Sequence, residues 1–139
     1  RSGVRTVPYS PGFDPTDVGH RHYTLDLSHT AAAGSDSLAM LDRMGSELAH
    51  VHLADGSGAA RDEHLVPGHG TQPCAEVCER LTDTGFGGVV VVEVSTRRCR
   101  TRYDRTAMLA ESLLFARLHL QPTAPKAPHS ARRTAHSSH

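Results

Sequence analysis

The chain has 139 residues, no tryptophan and only 4% aromatics. Fifteen basic residues balance fifteen acidic ones, and Lys126 is the single lysine. A neutral chain with a pI near 7.3 offers no overall field for a nucleic-acid backbone, so nucleic acid is not an expected partner. The three cysteines, Cys74, Cys78 and Cys99, are odd in number and form no disulfide framework, which fits a reducing compartment; the expected location is cytoplasmic. No run approaches the roughly 18 apolar residues of a membrane span, and the opening "RSGVRTVPYSPGFDP" lacks the apolar core of a secretion signal. No glycine-rich phosphate turn of the G-x-G-x-x-G type follows an apolar run, which argues against dinucleotide binding. Against these absences stand eleven histidines, several of them inside patterned segments.

Residues 1–21, rich in Pro, Gly and Asp, read as irregular. "HYTLDL", residues 22–27, alternates and reads as a strand. Leu38, Leu41 and Met44 fall at helical spacing behind a cap at Ser35 or Asp36. "LAHVHLA", 48–54, is a second strand that sends His50 and His52 to one side, because strand side chains repeat with period two. A polar loop runs over 55–71, long enough to be functional or disordered. A helix is expected from Thr71 or Gln72, with Pro73 in its first turn, an apolar face of Ala75, Val77, Cys78 and Leu81, and its end at Gly85. "GGVVVVEV", 87–94, is an unbroken β-branched run, expected to be a strand covered on both faces. The helix over 104–120 should pack through Met108, Leu109, Leu113 and Leu120. Residues 121–139 have the composition of a disordered tail.

This β-α-β-α-β-α order predicts an α/β fold with parallel strands, either an open doubly wound sheet or a (β/α)8 barrel. Asp26, His52 and Glu93 fall at or next to the C-terminal ends of successive strands, where barrel enzymes build their sites, so a barrel is favoured. Two carboxylates and a histidine from neighbouring strand ends suit a divalent metal such as Mn, Mg, Co or Zn. A carboxylate inside "TLDLSH" or closing four valines needs a partner when buried. His50 reads as a supporting residue, hydrogen-bonded to a neighbour.

Taken in order, "LDLSH", "HVHLAD", "DEHLVPGHG" and "VVVVEV" resemble the C-terminal half of the xylose isomerase-like TIM-barrel superfamily. That superfamily joins the sugar (phosphate) isomerases and epimerases with the endonuclease IV-type apurinic endonucleases. The resemblance covers residues 22–120, about three βα units. It implies metal ligands at Asp26, His52 and Glu93, with Glu93 also serving as a catalytic acid/base. His29 falls on a position that faces substrate in epimerases and a further metal in the nucleases, and Asp62 and His64 match the nucleases' loop ligands. These three are candidates for a substrate or second-metal role; His69 receives none.

The implied activity is a divalent-metal-dependent sugar or sugar-phosphate isomerisation or epimerisation, by proton transfer through a metal-stabilised enediolate. The alternative is a zinc-dependent apurinic endonuclease. Relatives supply a further Glu ligand and base from an N-terminal half, and a whole barrel needs about 250 residues. The chain is therefore expected to be a fragment, and a non-catalytic piece that pairs with a complementary half or another copy is a third reading, because an open sheet exposes strand edges. Cys74 and Cys78 read as small core residues rather than ligands of a structural zinc with His64 or His69. "STRRCRTR", 95–102, reads as a solvated basic loop, the alternative being a holder for a substrate phosphate or an anionic partner.

Overall fold

A computed structural model describes residues 14–121. Its elements in chain order are β1 (Tyr23–Asp26), α1 (Leu27–Ala33), α2 (Ser37–Met44), β2 (Leu48–Leu53), α3 (Cys74–Asp83), β3 (Val89–Val92) and α4 (Arg102–His119), with short 3-10 turns at Pro15–Val18 and Gly45–Glu47. The three strands form one parallel sheet in the order β1-β2-β3. The expected α/β architecture of three parallel βα units is therefore present.

Register fixes the two faces of this sheet. Leu25 pairs with Val51, which pairs with Val90, and Leu53 pairs with Val92. That row meets the helices: Leu25, Val51, Leu53, Leu27, Val77 and Leu81 are all 2% exposed or less. Each fully buried side chain of this size contributes about 1.5–3 kcal/mol of transfer free energy. The opposite row, Thr24 with His50 and Val89, then Asp26 with His52 and Val91, lies on the face the helices do not cover. A register shift after Tyr23 brings Thr24 opposite His50, which aligns the two polar strand ends.

Several boundaries depart from the sequence reading. The first strand stops at Asp26, and α1, which the sequence reading missed, starts directly behind it. Asp26 serves both elements: its backbone is extended, and its Oδ1 accepts a hydrogen bond from the His29 amide, capping the helix. Asp36, not Ser35, caps α2, accepting from the amides of Leu38 and Ala39. Pro73 stands at the cap of α3 rather than in its first turn.

Two packing expectations fail. Val89 and Val91 are 55% and 38% exposed, because they project from the face opposite the helices, so β3 is covered on one side only. On α4, Leu109 and Leu113 are exposed, while Ser112 and Ala116 are buried. Those two small residues let the helix axis approach the core, with Phe115 and Leu120 packed beside them. Of the segment read as irregular, residues 1–13 lie outside the described residues, and 15–18 form a 3-10 turn tied to α2 by ion pairs from Arg43 to Asp14 and Asp17. The tail from 122 onward also lies outside the described residues.

Candidate metal centre

The strand ends bring the predicted residues together. Asp26 closes β1 and is 7% exposed. His52, its register partner on β2, places Nδ1 3.1 Å from Asp26 Oδ2. Glu93 follows β3 directly; its amide donates to the Leu53 carbonyl, which carries the sheet pairing one residue further. Glu93 Oε2 lies 3.0 Å from the same His52 Nδ1. One imidazole nitrogen thus faces two carboxylate oxygens, and ligand atoms of all three side chains lie within 4.8 Å of one another.

A ring N–H can satisfy only one such oxygen well, whereas a nitrogen lone pair and two carboxylates meeting at one point are the donor set of a hard or borderline divalent cation. The residues present therefore fit a divalent metal. The chemistry of the set leaves Mn, Mg, Co and Zn all open.

A second cluster adjoins the first through Asp26. His29, in the first turn of α1, sets Nε2 3.3 Å from Asp26 Oδ2 and 3.5 Å from Asp62 Oδ2. His64 sets Nδ1 2.7 Å from Asp62 Oδ1, and its ring stands edge-on to that of His29 with centroids 5.7 Å apart. Its Nε2 is buried without a hydrogen-bond partner, 3.5 Å from Glu93 Oε1. Asp26, His29 and His64 also satisfy the spacing of a three-ligand group. All six candidate residues therefore share one end of the sheet. His50 lies beside His52, ring centroids 5.5 Å apart, with Nε2 buried and unpartnered, so the hydrogen bond expected for it is not formed among the described residues.

Two further residues organise this region and had no role in the sequence reading. Ser28, 1% exposed, donates from Oγ to Asp62 Oδ1 at 2.6 Å and accepts the amides of Glu63 and His64 at 3.2 and 2.9 Å. It ties the loop after β2 to α1 and so sets Asp62 and His64 against His29. His64 itself has a positive φ of 48°, a conformation few non-glycine residues adopt without such support.

Asp55, fully buried, accepts from the amides of Gly56, Gly68, Gly70 and Gln72 at 2.8–3.0 Å. A Cβ at Gly70 would stand 2.3 Å from Asp55 Oδ1, so only glycine permits this approach. The signal for Asp55 was the run of glycines at fixed offsets behind an apolar strand. Glu63 is held by the Ser57 hydroxyl and amide, then by Arg61, and these bonds lower its carboxyl to about 2.

Cys74 and Cys78 are 2% and 0% exposed within the core. Burial, with Asp55 adding to it at Cys74, pushes both thiols up to about 12. They behave as core residues, as expected, and neither belongs to a metal-ligand group among the described residues. No described helix is long and apolar enough to cross a membrane.

A parallel sheet with helices on one face and convergent carboxylates and imidazoles at its C-terminal strand ends defines a piece of a TIM-barrel protein. The chain belongs to the xylose isomerase-like TIM barrel family, which it matches over residues 18–119. It is 62% identical over 118 residues to an uncharacterised protein of Mycobacterium tuberculosis, covering 85% of this chain and 42% of that protein. It is 36% identical over 72 residues to fructoselysine 3-epimerase of Escherichia coli, covering 52% of this chain and 26% of the epimerase. Among solved structures, a D-tagatose 3-epimerase-like protein superposes with a TM-score of 0.50 at 25% identity, over 72% of this chain and 37% of that one. The chain therefore spans less than half the length of these relatives.

Proposed function

We propose that this chain supplies the metal-binding strand ends of a sugar or sugar-phosphate isomerase or epimerase, with Asp26, His52 and Glu93 as ligands of one divalent cation. The single observation behind this reading is the approach of His52 Nδ1 to within 3.1 Å of Asp26 Oδ2 and 3.0 Å of Glu93 Oε2. Family membership and the epimerases among its relatives support the reaction class.

The bound cation would supply Lewis-acid stabilisation of the negative charge that grows on substrate oxygens as a proton leaves the adjacent carbon. Asp26, almost wholly buried and capping α1, is the fixed member of the set. Glu93 is the adaptable one: its side chain is 47% exposed, and it lies at the open end where a substrate carbon could exchange a proton with a carboxylate oxygen. His29 and His64 would contact substrate hydroxyls from the loop side. A second metal bound with Asp62 is the arrangement the endonuclease reading would need; the chain's zero net charge does not favour a nucleic-acid substrate.

The test is a titration of Mn²⁺ and Zn²⁺ into the chain and its Glu93→Gln variant, followed by calorimetry. The variant should bind at least tenfold more weakly, since even outer-shell substitutions cost about 10–100-fold. Equal affinity in the two proteins would remove Glu93 from the ligand set.

A further inference from the structure

The space in front of the strand ends continues past the ligands. A cavity of about 380 Å³ runs from Glu93 to Arg97, and a second of about 390 Å³ runs on to Arg98 and Met108; the two share Asp62, Glu63, His64, Ser95 and Arg97 in their walls. Each is within the size range of small-molecule sites. The charges along this space are not mixed at random. Asp62 and Glu93 face the imidazoles, and Glu63 is occupied by Ser57 and Arg61. At the far end, Arg97 and Arg98 are exposed, and neither has an ion-pair partner among the described residues.

Their position is fixed by backbone. The Ser95 amide donates to the His64 carbonyl at 2.8 Å, and the Cys99 amide donates to the Thr96 carbonyl at 3.0 Å, closing a turn with the two arginines at its centre. Arg97 lies four positions after Glu93, at most roughly 14 Å of extended chain, so one small molecule can touch both ends.

We propose that Arg97 and Arg98 form an anion subsite for a phosphate or carboxylate carried by the substrate, at the end remote from the reacting carbon. This rests on the proposed isomerase or epimerase reading and narrows its substrate class to anionic sugars. Two guanidinium groups offer paired N–H donors to tetrahedral or planar oxyanions, which lysine would not match in geometry. The carboxylates of Asp26 and Glu93 at the strand ends repel the same anion, so a substrate enters in one orientation, its neutral carbonyl and hydroxyl oxygens toward Asp26, His52 and Glu93.

Binding of three probes to the metal-free chain tests the subsite without activity: fructose 6-phosphate, glucuronate and fructose. Either anionic sugar should bind at least tenfold more tightly than fructose, the stronger of the two identifying the group, and the advantage should vanish in the Arg97→Ala/Arg98→Ala double variant. Both arginines are exposed, so the double variant keeps its fold, which circular dichroism checks. Equal binding of all three probes, or an advantage that survives the double substitution, overturns the subsite. Mn²⁺ titration of the same proteins separates the two claims. A chain that binds no metal but keeps an arginine-dependent preference refutes only the metal reading, and one that binds metal without the preference refutes only the subsite.

Discussion

Asp26 and Asp55 are both buried, both follow apolar strand residues, and both stand at the same end of the sheet, yet their surroundings differ in kind. Asp55 is surrounded by backbone: four amides from the loop after β2 converge on its two oxygens. Asp26 is surrounded by side chains that can change partner: only Oδ1 is committed to the backbone, through the His29 amide, while Oδ2 faces His29 and His52. A buried carboxylate is tolerated where its charge is compensated. Asp55 achieves this with fixed dipoles and becomes a structural hub; Asp26 does so with imidazoles and stays available to a cation.

The largest effect should come from removing the hub. Asp55→Ala leaves four amide donors without their acceptor, and at about 1–3 kcal/mol for each buried donor left unpaired the loss should be at least about 3 kcal/mol in urea denaturation. A loss below about 1 kcal/mol would mean that the loop does not depend on Asp55.

The contrasting substitution is Asp26→Asn. Asparagine caps a helix as well as aspartate does, so the metal-free protein should keep its stability within about 1 kcal/mol, while Mn²⁺ affinity falls by at least about tenfold, or 1.4 kcal/mol. A destabilised variant with unaltered metal binding would make Asp26 a second structural hub and erase the distinction.

Ser28→Ala sharpens the comparison from the loop side. It removes the bond to Asp62 and the acceptor for two amides, and should cost about 1–2 kcal/mol. Hydrogen exchange at the amides of Glu63 and His64 should accelerate while that of β2 does not; unchanged exchange would deny Ser28 its anchoring role.

The smallest effect is expected at Glu63, whose carboxyl is lowered from the ordinary 4.5 to about 2. A depressed folded-state pKa adds stability that is fully present above about pH 4.5 and disappears as pH falls through about 2. The stability gap between the wild type and Glu63→Gln should therefore be wider at pH 6 than at pH 2. A gap independent of pH would show that the bonds to Ser57 and Arg61 are not formed in solution.

What could be read from the sequence was whatever rests on strand periodicity. Asp26, His52 and Glu93 each fall at or next to a strand end, and parallel pairing then obliges them to be neighbours. Helix α1 escaped because no loop separates it from β1: Asp26 is both strand end and cap, and a seven-residue helix is too short for a periodic pattern. The face of α4 was misread because leucines occupy several sides of it, while its contact with the core is made by Ser112 and Ala116, whose value lies in being small. Val89 and Val91 look like core residues in composition, but composition cannot say which face of a strand meets the helices. Ser28 acts on backbone amides up to 36 residues away, and such contacts leave no local pattern, whereas Gly56, Gly68 and Gly70 do mark the loop that closes on Asp55.

The convergence of three side chains on one cation is tested most directly by an anomalous difference map from crystals of the chain grown with Mn²⁺. The account predicts one strong peak about 2.0–2.3 Å from Asp26 Oδ2, His52 Nδ1 and a Glu93 carboxylate oxygen. A map with no peak among these three atoms, or with manganese bound only elsewhere, would contradict it.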